Sequence, residues 1–181
     1  MIIDTNKDNA DFRPLEFAAR VVKYDPENTG KMQYMNFVRI EGNRVTGTDG
    51  SRVHAGEVEG TYPDGFYIVV KRTKGNLVVA RVFEPDGIEY PPVEDLFKQS
   101  GKPVENAKFH NFEFSKERVH GDVAYFLRST PGMLFVNLDF LKDLDGHEWH
   151  TVEWTSDEAG DLGPIIFRNE SVTAAIMPLR G

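Results

Sequence analysis

The chain has 181 residues, 40% hydrophobic and 28% charged, with 13 Phe, 6 Tyr and 2 Trp; that is ample for a buried core and excludes a disordered segment. It has no cysteine, which excludes disulfides, thiolate zinc sites and a cysteine nucleophile and fits a reducing cytoplasm. The net charge of −8 argues against a nonspecific nucleic-acid coat but leaves room for one local basic face, and no stretch reaches the length of a membrane span.

Residues 1–12 read as loose and polar, unlike a signal peptide. Pro14 then opens a helix, where its missing N–H costs nothing. Leu15, Ala18, Ala19 and Val22 recur at helical spacing and predict a buried stripe. Arg13, Arg20 and Lys23 fall together on another side, with Glu16 among them. The plain reading of these cations is a solvated face; the functional one is a small phosphate-facing patch.

Asp25 to Asn36, DPENTGKMQYMN, has the outline of an EF-hand calcium loop, with Asp25, Glu27 and Thr29 as ligands and Gly30 at the sharp turn. The closing position is Asn36, one neutral oxygen where calcium wants a bidentate carboxylate, so the stretch reads better as a turn that mimics such a loop. Met35 to Ile40 alternates as a strand. Gly42-Asn43 turns it into VTGTDGSRVH, where Asp49-Gly50 is a strong turn between β-compatible residues.

Phe66–Val70 and Asn76–Phe83 predict two strands joined by the basic tip Lys71-Arg72-Thr73-Lys74-Gly75. That tip is a solvated turn or a phosphate contact. A short helix follows at Val93–Gln99, then a loop through Ser100–Asn106. Phe109, Phe112, Phe114 and Val123–Leu127 are strand material. Met133–Val136 predicts a strand, and Asn137 caps a helix over Leu138–Leu144. Strands follow at HEWHTVEW (147–154), Pro164–Phe167 and Val172–Met177. A strand and a helix followed by several strands thus occur twice, near the start and near the end, which suggests an internal duplication.

The helix followed by MNFVRIEGNRVTGTDGSRVH resembles the bacterial sliding clamp, the β subunit of DNA polymerase III. That family carries an ATDGHR(L) signature after such a helix and strand; here Thr48, Asp49, Gly50 and Arg52 are kept, with Gly47 and Ser51 in place of its Ala and His. The closing IMPLR, residues 176–180, resembles the family's terminal VMPMR. The likeness covers roughly residues 12–60 and 131–181. It implies the α+β class: a DNA-clamp-like domain of two βαβββ halves, with helices on one face of a curved antiparallel sheet. Residues 1–181 would form one such domain, divergent or interrupted around 61–130.

The resemblance also implies a protein with no catalytic residues, no metal and no cofactor. It would encircle double-stranded DNA as a cytoplasmic homo-oligomer and tether replication proteins or polymerase to it. Clients would dock a short peptide against Thr48, Gly50, Arg52 and Val53 together with Ile176, Met177, Pro178 and Leu179. A Met- and Pro-lined cleft suits such anchoring because the thioether repacks easily. Arg13, Arg20, Lys23 and Lys142 would face DNA, although Lys142 sits among Asp139, Asp143 and Asp145.

Two other readings compete. One is a clamp-fold adaptor that binds proteins without encircling DNA, which the acidic balance favours. The other is an enzyme or metal protein built on His147, His150, Glu148 and Glu153, or on His54 with Asp49. Residues three apart on a strand point to opposite faces, so His147 and His150 are poorly placed to chelate one ion.

Overall fold

In a computed structural model, residues 1–27, 30–83, 88–98, 102–103, 116–119, 122–129, 132–144, 147, 149, 151–156 and 162–178 are described. The chain divides into two compact units, Met1–Pro92 and Val93–Gly181.

The first unit runs β1 (Ile2–Asn6), α1 (Phe12–Ala19), a 3-10 helix (Gly30–Asn36), β2 (Val38–Glu41), β3 (Arg44–Thr48), β4 (Arg52–Glu57), β5 (Gly65–Thr73) and β6 (Asn76–Arg81). Its strands lie side by side as β1-β6-β5-β2-β3-β4, antiparallel throughout. Strand alternation sends Ile3, Val38, Ile40, Val45, Tyr67, Leu77 and Val79 to one face, where they meet Leu15, Ala18 and Ala19 of α1. A layer of helix on sheet buries the apolar face of both.

The helix approaches β3 closely. A Cβ at Gly47 would overlap the Ala18 carbonyl, so the strand must be bare at that point. Ahead of the helix, Asp11 is buried and ties down a loop instead of capping its own N–H groups. Its Oδ1 accepts the N–H of Glu59 at 2.6 Å, and its Oδ2 accepts the Gly60 N–H at 3.1 Å and the Tyr62 hydroxyl at 2.6 Å. At the other end, Arg72 Nη1 donates to the Ala19 carbonyl at 3.1 Å, placing a guanidinium on the helix C-terminus.

The second unit contains α2 (Glu94–Lys98), β7 (Lys102–Pro103), β8 (Lys116–Val119), β9 (Asp122–Ser129), β10 (Gly132–Asn137), α3 (Leu138–Lys142), β11 (Thr151–Ser156), β12 (Leu162–Arg168) and β13 (Val172–Ile176). One antiparallel sheet has the order β13-β12-β11-β7 and another the order β10-β9-β8. Asn137 caps α3 as expected, its Oδ1 accepting the Asp139 N–H at 2.9 Å. Val136, Leu141, Leu144, Val152, Ile165, Ile166, Phe167, Val172 and Ile176 are buried.

Each unit therefore carries one βαβββ run, β1-α1-β2-β3-β4 and β10-α3-β11-β12-β13. The repeated order read from the sequence is present in the fold.

Several local expectations shift. The strand expected over Met35–Ile40 starts at Val38, because Gly30–Asn36 winds into the 3-10 helix first. Helix α1 begins at Phe12, so Pro14 occupies its first turn, and it ends at Ala19, so Val22 and Lys23 follow it. The hairpin tip shortens: Lys71, Arg72 and Thr73 belong to β5, which bulges between Val69 and Lys71, and the turn is Lys74-Gly75. His147 and Trp149 precede β11, and the Trp149 indole N–H is drawn to the Leu144 carbonyl at 3.3 Å. Phe109, Phe112, Phe114 and His150 lie outside the described residues.

Candidate functional site

The β3–β4 corner is built by its own side chains. Asp49 Oδ1 accepts the N–H groups of Ser51 and Arg52, each at 3.0 Å, and its Oδ2 accepts from Arg52 Nε at 2.9 Å. Thr48 Oγ1 accepts the Gly50 N–H at 3.1 Å and donates to the Arg52 carbonyl at 2.8 Å. Gly50 has φ +84°, a conformation that side chains with a Cβ resist. Thr-Asp-Gly-x-Arg is thus a self-satisfied turn of the Asx type, which accounts for each of its residues on structural grounds alone.

The 3-10 helix lies over this corner. Met35 Cε would sit 2.6 Å from a Cβ at Gly50, with the Tyr34 hydroxyl at 3.8 Å. Thr48 and Val53 are buried, the Arg52 side chain is 12% exposed, and Gly50 is open. Met35 and Tyr34 were not among the sequence candidates. They emerge only once Gly30–Asn36 is known to be a 3-10 helix, which the sequence did not show.

The terminal segment lies in the second unit. Ile176 is fully buried on β13, opposite Ile165; Met177 is 39% exposed and Pro178 half-buried. Leu179 lies outside the described residues. The β12–β13 corner repeats the design of the first: Asn169 Oδ1 accepts the N–H groups of Ser171 and Val172, each at 2.9 Å. Asn169, Ser171 and Val172 stand where Asp49, Ser51 and Arg52 stand in the other half.

The candidate DNA-facing cations differ in their surroundings. Arg13 and Lys23 are exposed. Arg20 Nε pairs with Glu16 at 2.9 Å and lies over the Phe17 ring, 5.7 Å from its centre. Lys142 Nζ pairs with Asp139 at 2.8 Å.

Two of the competing sites, at His54 and over Asp25–Asn36, have structural contacts; in the set His147, Glu148, His150 and Glu153, Glu148 and His150 lie outside the described residues. His54 is fully buried and stacks on Phe17 with ring centres 4.1 Å apart and planes 7° from parallel. Its Nδ1 lies 2.9 Å from the Phe17 carbonyl, a partner that can only accept, so Nδ1 carries the hydrogen. The pair explains why Phe17 is buried off the predicted stripe. In the EF-hand-like stretch, Asn36 is buried and its Oδ1 accepts the Asp25 N–H at 2.9 Å, while Asp25 Oδ1 accepts the Glu27 N–H at 2.9 Å. Hydrogen bonds close that turn; Thr29 lies outside the described residues. No group of three metal-binding side chains occurs among the described residues.

A cleft of about 480 Å³ opens in the first unit between Arg39, Glu41, Asp64, Phe66, Arg81 and Phe83. Arg39 Nη2 pairs with Glu41 Oε1 at 3.1 Å, and Arg81 Nη2 donates to the Asp64 backbone carbonyl at 2.7 Å. Beside it, Tyr90 packs against Phe66 and under Arg39, and burial pushes its phenol well above the ordinary tyrosine range.

This fold, a pair of βαβββ runs in an α+β chain of antiparallel sheets, is that of a DNA clamp domain. Its solved counterparts are bacterial DNA polymerase III β subunits, the sliding clamps. The clamp of Thermotoga maritima is 13% identical with a TM-score of 0.54, over 100% of this chain and 66% of that one. The β chain of Streptococcus pneumoniae is 13% identical with a TM-score of 0.54, over 100% of this chain and 64% of that one. The clamp of Bartonella birtlesii, solved bound to griselimycin, is 12% identical with a TM-score of 0.51, over 99% and 66%. The present chain thus spans about two thirds of the length of these clamps. No protein-family model and no curated protein matches the sequence.

Proposed function

We propose that the chain is a non-catalytic, sliding-clamp-like protein of DNA replication or repair, a processivity factor that tethers proteins to double-stranded DNA. The observation that carries this reading is the twice-used βαβββ order in a fold similar to solved sliding clamps. On this reading residues 1–181 form a single clamp-like domain, divergent around 61–130, which acts in the cytoplasm as a homo-oligomer. A client peptide docks against the corner Thr48, Gly50, Arg52 and Val53 and the terminal segment Ile176 to Leu179. Among the described residues Gly50 and Met177 are exposed and Arg52 and Pro178 partly exposed. Arg13, Arg20, Lys23 and Lys142 serve as DNA-facing cations.

The test is mass in solution together with retention on DNA. An encircling clamp gives a closed oligomer that stays on circular DNA and runs off linear DNA. A monomer at high concentration that ignores circular DNA rejects encirclement.

A second reading is an adaptor that keeps the protein-binding face and does not encircle DNA. The net charge of −8 and the pairing of Arg20 with Glu16 and of Lys142 with Asp139 favour it. A pull-down with replication proteins that succeeds while DNA retention fails selects this reading.

A further inference from the structure

The first unit gathers three basic segments that the sequence keeps apart, and we propose that they form a contact surface for the phosphate backbone of duplex DNA. This rests on the reading of the chain as a DNA tether and names the part of it that would meet the polyanion. The centre is the end of the β5–β6 hairpin, where Lys71, Arg72 and Thr73 close β5 and Lys74 opens the turn. Arg72 reaches back to the Ala19 carbonyl at 3.1 Å, which docks the tip against the end of α1, where Arg20 and Lys23 follow. On the other flank the Lys7 N–H donates to the Gly75 carbonyl at 3.2 Å, and the Lys7 side chain runs past Gly75, its Cδ 4.0 Å from where a Cβ would be.

Lys7, Lys23, Lys71, Arg72 and Lys74 are all exposed. Among the described residues, Asp4, Asp8 and Glu16 are the carboxylates of the flanking segments. Glu16 is committed to Arg20, the Asp4 Oδ1 accepts from Asn76 Nδ2 at 3.0 Å, and Asp8 is exposed beside Lys7. A chain with a net charge of −8 has thus concentrated cations at one end of one sheet. Like charges brought together repel, and a polyanion relieves that repulsion while releasing its own counterions. Lysines on long flexible stems, with no pocket around them, suit backbone phosphates better than base edges. Arg72 is a positioning residue here, because its guanidinium is held on the helix end.

The experiment is fluorescence anisotropy of a labelled linear duplex across a salt series, comparing the full chain with the K71Q/K74Q variant. Both side chains are exposed, so the melting temperature should hold. The expected result is that the variant binds about tenfold more weakly at low salt and loses about 2 from the slope of log affinity against log salt. Equal affinity and slope for the two proteins overturns the hairpin surface and leaves the tether intact. Absence of linear-duplex binding by the parent chain at low salt overturns the surface and leaves the tether to the circular-DNA test, because an encircling clamp runs off linear DNA. Preference of the parent chain for vesicles containing phosphatidylserine over the duplex also overturns the surface, because the cations then read a membrane.

Discussion

Asp11 shows how much one side chain can organise. It is buried, accepts from two backbone N–H groups and a phenol, and holds a loop some fifty positions away in sequence. Removing an acceptor strands its donors, so Asp11→Ala should cost about 3 kcal/mol, read as a lower denaturant midpoint. The same contact governs Tyr62. Burial first and the Asp11 hydrogen bond second push its phenol up to about 12. A group whose ionisation is raised in the folded state adds stability fully present below its unfolded value, near 10. That contribution is lost as the pH climbs towards 12. Alkaline titration followed by tyrosinate absorbance should show a late phenol near 12 that Tyr62→Phe removes, with Tyr90 later still; a titration curve that Tyr62→Phe leaves unchanged above about pH 11 means the contact is absent in solution.

At the scale of elements, the helix–sheet approach at Gly47 makes a sharp demand. Gly47→Ala forces the strand and the Ala18 carbonyl apart and should destabilise by about 3 kcal/mol. Gly42→Ala should cost only about 1 kcal/mol, because its surroundings are open and only its positive φ resists. Thermal unfolding of the two variants side by side checks the ordering. Arg72→Ala removes a hydrogen bond and a charge from the end of α1, an expected loss of about 1 kcal/mol with faster amide exchange in the last helical turn. Periodicity made α1, the capped α3 and the β3–β4 hairpin legible in the sequence, since each is governed by neighbours in the chain. The 3-10 helix was not legible, because Gly30–Asn36 reads as part of a calcium-loop-like turn and its last two residues as the start of a strand. What fixes it is tertiary: Asn36 turns inward to close on Asp25, and Met35 packs over Gly50. The burial of Phe17 was equally hidden, since it depends on His54, thirty-seven positions away.

For the whole molecule, the order of elements was legible where side-chain chemistry was not. A helix followed by strands could be read in both halves because each element leaves a local pattern, whereas β1 was missed, since Ile2–Asn6 lies in the stretch that reads as loose and polar. The fates of the cations could not be read, because charge composition says nothing about pairing: Arg20 and Lys142 acquire carboxylates, while Lys7 meets the hairpin end through its N–H on the Gly75 carbonyl. The two units should also differ in their response to salt. The cationic end of the first is stabilised as added ions screen its self-repulsion, so raising salt from low values should slow amide exchange in β5 and β6. Exchange that quickens there instead would mean the lysines are already paired.

The twin corners make one further experiment possible. Asp49 and Asn169 present the same oxygen to the same two amides, yet only Asp49 has a second oxygen gripping a guanidinium. Asp49→Asn should therefore preserve the bend, as its twin does, while letting Arg52 swing loose. One atom separates architecture from recognition: a client that needs a rigidly presented arginine would bind this variant poorly even though its melting curve barely moves.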